Sequence, residues 1–544
     1  MNGERGRYMP QPGQGRSVIT ESSAAQGPVW GDGRSASRLK AAEGKPRSGP
    51  GIVYLVGAGP GAPGLLTLRG AELLKRAEVL VYDYLAAPEI MRLVPDGCRR
   101  IYVGKQSGNH AKSQDEINRI LVEEAAAGQV VVRLKGGDPY IFGRGGEEAQ
   151  ELFKAGIVFE VVPGISSTVG AAAYAGIPLT HRDFNSQVAI ITGHEKPDKS
   201  ESAHDWAALA KMGTISMVMG VRNLAHVCDK LMEAGRPADS PAALIQWGAT
   251  SRQRTLVGIL ADIAAKAEAE NLGPPSLFVS GGVVALREQL NWFERRPLFG
   301  RKLLVTRSRS QASRLSEALG ELGAEVWERP TIDIEPVDDP IYFQTAFARL
   351  SDYQWLLFTS PNGVEIFMKR LWEDGRDARS LSGLKIAVVG PGTAEALKNF
   401  SLKADLMPKV KFVGEGLLEA VVEAGVRGQK VLLARAQEGR DVLPRGLIEA
   451  GAELTDLAVY KTVNPVWAEP LPGRPDLVTF TSSSTVTGLA AMVPLEERKN
   501  YPAASIGPIT TETAKELGFE VKVEAKKSTI DGLVLAVAEY FVGA

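Results

Sequence analysis

Leu134-Lys135-Gly136-Gly137-Asp138-Pro139-Tyr140-Ile141-Phe142-Gly143-Arg144-Gly145-Gly146-Glu147-Glu148 is the stretch whose reading decides the fold of the first half of this chain. A short apolar strand, Val130 to Leu134, runs into two glycines, an acid and a proline, then a second glycine cluster and an acidic helix start. Adjacent glycines let backbone groups approach a ligand with no Cβ in the way, and Asp138 offers an acceptor for a hydroxyl or an ammonium. Gly-Asp-Pro sequences also make ordinary turns. Five glycines, one Asp and one Pro in so few positions favour a ligand loop.

Working outward, Ile52 to Val56 reads as a buried strand that ends in Gly57-Ala58-Gly59-Pro60-Gly61-Ala62-Pro63-Gly64 and is followed by a helix from Leu66 to Lys75. Strand, glycine loop and helix invite a dinucleotide-binding reading, with a pyrophosphate on the helix N-terminus. Pro60 and Pro63 stiffen this loop, Ala62 takes the third glycine position, and Asp83, after Val79–Tyr82, lies in an unsuitable context. The loop is therefore expected to hold a ligand in another way. Strands and helices alternate onward through Ile101–Lys105, Gln114–Ala127, Glu147–Ala155 and Phe159–Val162, which predicts an α/β domain with much parallel sheet. Pro163-Gly164-Ile165-Ser166-Ser167 breaks the pattern, and a lobe boundary is placed there.

A chain of 544 residues exceeds what one core usually supports. Hydrophobic content of 44% and charged content of 23% are those of a globular protein, and a net charge of −1 argues against a strongly basic nucleic-acid binder. Cys98 and Cys228 stand far apart without metal-ligand spacing, so no metal is expected and a reducing cytoplasm fits best. No apolar run reaches about 18 residues, and residues 1–49 read as a disordered tail rather than a leader. Neither nucleic acid nor membrane is expected as a partner.

The segment from 50 to 293 resembles the tetrapyrrole methyltransferases, specifically uroporphyrinogen-III C-methyltransferase. The resemblance rests on Val56–Gly61, Val103-Gly104-Lys105, Arg133–Glu148, Val161–Ser167, Ala173–Arg182 and Thr192-Gly193-His194. It implies two lobes, about 50–165 and 166–293, S-adenosylmethionine as cofactor, and a homodimer through this half. Carried over by position, the cofactor contacts fall on Pro60, Gly136, Gly137, Asp138, Ile141, Ser166, Ser167, Met219 and Gly248. Asp83 matches the family's proton acceptor and Lys105 its proton donor; the plainer alternatives are a turn residue and a solvated strand-end lysine. Two departures stand out: Gly61-Ala62-Pro63 replaces Gly-Asp-Pro, and Ser166-Ser167 replaces Thr-Ala while keeping the first hydroxyl.

After a short linker, 294–300, residues 301–544 carry an internal repeat. Leu303–Arg307 is echoed by Val431–Arg435, Gly323-Ala324-Glu325 by Gly451-Ala452-Glu453, Trp355–Ser360 by Leu477–Ser482, and Val389–Thr393 by Ile506–Thr510. Two similar flavodoxin-like α/β lobes are expected. Strands ending in Thr-Ser or Gly-Pro turns offer free N–H groups and hydroxyls suited to carboxylates, or merely cap their own helices. Phe358–Val364, Val388-Val389-Gly390, Gly439-Arg440, Val459-Tyr460, Phe480–Ser483 and Ile506-Gly507-Pro508 resemble uroporphyrinogen-III synthase. That resemblance implies cyclisation of hydroxymethylbilane, with Tyr460 assisting departure of the hydroxyl or, alternatively, filling the core. Ser360, Ser482, Ser483 and Thr510 would hold substrate carboxylates; Arg307 and Arg435 join them from the repeat. It also implies that the chain crosses to its second lobe from about 336 to 457, with Leu303 and Val431 each opening a lobe's first strand. Two alternatives stay open: methylation of a later corrinoid intermediate, and a second half that binds a tetrapyrrole without chemistry.

Overall fold

The structure, a computed structural model, describes residues 51–83, 89–104, 112–193, 204–307, 309–465, 467 and 470–543. Lys105, His194 and the segment 1–49 lie outside the described residues. The chain divides into two compact units that meet at Arg295/Arg296.

The first unit holds two five-stranded sheets. Strands β1 (Ile52–Gly57), β2 (Val79–Tyr82), β3 (Arg99–Tyr102), β4 (Val130–Lys135) and β5 (Val158–Val162) pair in the order β3-β2-β4-β1-β5, all parallel. The short apolar runs that form the central strands are buried on both faces, as parallel sheets require. Tyr54, Val56, Leu80, Val132 and Leu134 pack on one side, and Val53, Leu55, Val79, Val131 and Leu121 on the other. The second sheet is mixed: β6 (Val188–Thr192), β7 (Thr214–Val218), β8 (Pro241–Gln246), β9 (Arg254–Ile259) and β10 (Ser276–Ser280) run in the order β6-β7-β10-β8-β9. β10 is antiparallel to both neighbours, so β7 and β8 point the same way. Helix Ser167–Tyr174 joins the core of this second sheet through Ala171 and Ala172.

In the second unit β11 (Lys302–Val305) and β12 (Glu325–Glu328) open one lobe. The chain then crosses to β13 (Asp333–Pro336), β14 (Trp355–Phe358), β15 (Lys385–Val388), β16 (Lys430–Ala436) and β17 (Glu453–Val463), and returns with β18 (Leu477–Phe480), β19 (Ala503–Ser505) and β20 (Val521–Glu524). The sheets read β12-β11-β18-β19-β20, wholly parallel, and β13-β17-β16-β14-β15, parallel except for edge strand β13. The excursion thus runs from 333 to 463, somewhat wider than 336–457.

The repeat is real in space and differs from expectation in order. β12-β11-β18-β19 matches β17-β16-β14-β15 strand for strand. Val431 opens the fourth strand of its lobe along the chain, not the first, because the second lobe is a circular permutation of the first. Within the segment 294–300, Leu298 is fully buried in the core of the second unit and its N–H donates to Leu322 O at 2.9 Å.

Candidate functional site

Because the first sheet is wholly parallel, its strands deliver their C-terminal loops to one edge, where open α/β sheets bind ligands. Pro60 follows β1, Asp83 follows β2, Gly136–Asp138 follow β4 and Ser166-Ser167 follow β5. Glycine lets these loops touch. Gly59 N donates to Gly137 O at 3.2 Å and Gly137 N to Gly59 O at 2.8 Å. A Cβ on Gly57 would lie 2.6 Å from Gly137 O, and one on Gly164 would lie 2.3 Å from the same oxygen. No side chain fits at either position.

The second lobe closes on the same loops. Gly170, in the helix that starts at Ser167, packs on Pro60, where a Cβ would come within 2.7 Å of the ring. Gly248 packs on Ala171 of that helix, and Gly61 lies against Thr250. Pro60, Gly137, Ser166, Ser167 and Gly248 are thereby brought together. Met219 follows β7, which lies one strand from β8 with β10 between. Five non-glycine residues of these loops adopt left-handed backbone: Phe142, Arg144, Met219, Trp247 and Ala249, with φ from 50° to 62°. Such residues cost about 1–3 kcal/mol each and gather at functional sites. Ile141 and Met219 expose apolar side chains here, 40% and 52% of their surface.

Asp138 is buried and occupied. Its Oδ1 accepts from Tyr140 N at 2.8 Å and its Oδ2 from Gly164 N at 2.9 Å, so it ties the loop after β4 to the loop after β5. Ser166 caps its helix, its hydroxyl accepting from Thr168 N and Thr168 Oγ1. Asp83 faces the edge and pairs with Arg133 at 3.4 Å. Behind it, Arg133 and Lys135 both bond the fully buried Glu148, at 3.2 and 2.8 Å. Burial pushes the Lys135 ammonium below its usual pKa, with Arg133 adding to the fall and Glu148 opposing it. None of this network is among the residues expected from the sequence apart from Asp83. Two cations at alternate positions of a buried strand demand a buried anion, and the acidic start of the next helix supplies it.

Trp247, Gln253 and Glu294 were likewise missed. The Arg252 guanidinium stacks 4.2 Å from the Trp247 ring centroid. No local signal marks Gln253 or Glu294, which bond each other across 41 residues of chain.

In the second unit, Ser360 caps helix Pro361–Glu373, accepting from Gly363 N at 3.0 Å, and lies 2.9 Å from the Tyr460 hydroxyl. Tyr460 reaches it across β16 through a bulge: Arg435 pairs with Ala458 but Ala436 with Tyr460, skipping Val459. Bulges re-aim side chains beside active sites. Burial raises the Tyr460 pKa, partly offset by Ser360, and keeps the phenol neutral. Tyr460 is thus both a core residue and a hydroxyl aimed at a strand end. In the other lobe Arg307, Ser482-Ser483 and Thr510 follow the neighbouring strands β11, β18 and β19. Ser482 caps its helix and Ser483 Oγ lies 2.8 Å from Thr513 Oγ1. Arg435 differs from expectation. Its guanidinium grips Asp456 twice at 2.8 Å and Gly439 O at 2.7 Å, so its donors organise the turn after β16 instead of standing free for a substrate.

Comparison with known proteins agrees with this division. The profile of the tetrapyrrole (corrin/porphyrin) methylases matches residues 52–264, and that of uroporphyrinogen-III synthase HemD matches 313–535. A porphyrin biosynthesis protein HemD of Ruminiclostridium josui is 40% identical over 493 residues, 89% of this chain and 97% of that protein. A uroporphyrinogen-III C-methyltransferase of Bacillus subtilis (strain 168) is 40% identical over 361 residues, 66% of this chain and 74% of that one. An S-adenosyl-L-methionine-dependent uroporphyrinogen III methyltransferase of Methanosarcina barkeri is 51% identical over 241 residues, 44% of this chain and 94% of that one. With both units matched and one relative aligned over nearly its whole length, the chain belongs to the tetrapyrrole methylases through its first unit and to the uroporphyrinogen-III synthases through its second.

Proposed function

We propose that this chain cyclises hydroxymethylbilane to uroporphyrinogen III with loss of water, and then methylates that ring twice from S-adenosylmethionine, giving precorrin-2 for sirohaem and cobalamin. The observation that supports the reading most is the meeting of Pro60, Gly137, Ser166-Ser167 and Gly248 at one sheet edge. The donor set there fits the cofactor. Backbone groups of Gly136–Asp138 and the capped helix start at Ser166-Ser167 suit its polar ends, and Ile141 and Met219 suit its apolar faces. S-adenosylmethionine supplies an electrophilic methyl group. The chain has to hold the acceptor carbon in line, and positioning is the largest contribution. Asp83 lies on the same edge, held by Arg133, where it accepts the proton released as the ring system rearranges.

In the second unit the neutral Tyr460 phenol donates a hydrogen bond to the departing hydroxyl of hydroxymethylbilane, with Ser360 orienting it. Arg307, Ser482, Ser483 and Thr510 hold carboxylates. Arg435 acts through the turn it braces. We further propose a cytoplasmic enzyme that forms a homodimer through its first unit; sedimentation of the full chain checks the latter. Among the described residues no helix is long and apolar enough to cross a membrane.

Incubating the full chain with hydroxymethylbilane and S-adenosylmethionine should yield a dimethylated type-III product. Recovery of only the type-I ring without added methyl groups would overturn both halves of the proposal.

A further inference from the structure

The loop that ends β8 is bent in a way its own residues do not favour. Trp247 and Ala249 flank Gly248 with φ of 50° and 62°, and left-handed backbone at two residues carrying a Cβ persists only where the surroundings fix it. The Ala249 N–H, at the centre of this bend, donates to the side chain of Gln253 at 2.8 Å. Gln253 is 3% exposed, and its amide nitrogen donates at 2.7 Å to Glu294 Oε1 and at 3.3 Å to Tyr174 O, the last residue of the helix on which Gly248 packs. Glu294 is held in turn by Thr255 Oγ1 at 2.6 Å and by Arg287, which also donates to Ala175 O. One chain of hydrogen bonds, buried at Gln253 and partly buried at Glu294, therefore runs from Glu294 through Gln253 to the backbone of the loop.

We infer that Gln253 and Glu294 are positioning residues for S-adenosylmethionine: the amide of Gln253, oriented by the Glu294 carboxylate, holds Trp247-Gly248-Ala249 in the shape that forms one wall of the cofactor site. Neither side chain touches the cofactor. The inference rests on the proposed reading of Gly248 as a cofactor contact. Orientation follows from the two ends of the glutamine. Ala249 N needs an acceptor and Glu294 needs a donor, so only one amide rotamer satisfies both, and the carboxylate fixes which.

The test uses the full chain and S-adenosylhomocysteine as probe. Gln253→Leu removes the acceptor and should weaken binding, read by calorimetry, about tenfold or more, the worth of one to two buried hydrogen bonds. The KM for S-adenosylmethionine should rise in parallel, with kcat at saturation within about twofold. Gln253→Glu sets two carboxylates together and should weaken binding similarly. The exchange Gln253→Glu with Glu294→Gln restores an acceptor for Ala249 and a donor between the pair, and should recover most of the affinity, which a merely destabilised core would not do. Thermal unfolding checks that each variant is folded. Unaltered affinity in folded Gln253→Leu, or an exchange variant no better than Gln253→Glu, overturns the inference alone. Hydrogen exchange on the unsubstituted chain separates the two readings: if S-adenosylhomocysteine adds no protection at the amides of 247–249, the cofactor reading of the loop fails and this inference with it.

Discussion

The carboxylate of Asp138 accepts from two backbone amides, one two residues ahead and one on the next strand's loop. Asp138→Ala should therefore do two things together. It should destabilise the first unit by about 2–4 kcal/mol, since two buried donors lose a charged acceptor, and it should weaken S-adenosylhomocysteine binding because the loop after β4 is released. Asp138→Asn keeps one acceptor oxygen and should lose less of both. Thermal unfolding and calorimetry on the same preparations read the pair of effects; binding lost with stability intact would mean direct contact alone. Tyr460 carries a second prediction. Tyr460→Phe should lower synthase kcat at least about tenfold at a stability cost near 1 kcal/mol, measured as type-III ring formed from hydroxymethylbilane. Burial raises the pKa of this phenol above its ordinary value of about 10. A raised pKa extends the protonated range upward, so Tyr460 should impose no alkaline fall in kcat between about pH 7 and pH 9.5. The Gly-Gly-Asp-Pro run marked a glycine-rich loop after a strand in the sequence. What Asp138 bonds was not legible, because its second partner, Gly164, belongs to another strand.

At the scale of elements, the site is a junction of strand ends and its glycines are not equivalent. Gly164→Ala would drive a Cβ to 2.3 Å from Gly137 O, with Gly57 backbone behind it. The two loops must part, so the substitution should cost about 1–3 kcal/mol and lower cofactor affinity with it. Gly146, at the end of the opening stretch, has nothing within 4 Å of a built Cβ and lies in helix Gly145–Lys154. Gly146→Ala should be neutral or stabilising by up to about 1 kcal/mol, since alanine favours helix. Thermal unfolding of the two variants side by side checks this ranking. The sequence makes both residues look like members of one glycine cluster; only the packing separates them. The repeat shows the same limit. Similar segments identified β11 with β16 and β18 with β14, because each pair has the same apolar run and the same turn. Their order along the chain left open which strand is central. Pairing decides that, and it reveals a permuted second lobe whose bulge at Val459 carries Tyr460 to Ser360.

For the whole molecule, composition and length argued for more than one core, and among the described residues no buried core cluster draws from both units. Phe293 is buried on one side of the division and Leu298 on the other. Each unit thus carries the apolar surface it needs to fold, and the short segment between them is spoken for at both ends. Division at Arg295/Arg296 should therefore give two folded proteins. Residues 51–295 should bind S-adenosylhomocysteine with the affinity of the full chain and methylate supplied uroporphyrinogen III; residues 296–544 should close hydroxymethylbilane to the type-III ring. Mixed in equal amounts with both substrates, the pieces should reach the same dimethylated product as the intact chain, followed by mass spectrometry. A first unit that unfolds when separated would show that the two units are thermodynamically dependent. Two folded pieces that together form product much more slowly than the intact chain, with each step normal when assayed alone, would instead mean that covalent linkage speeds passage of the ring from one unit to the other.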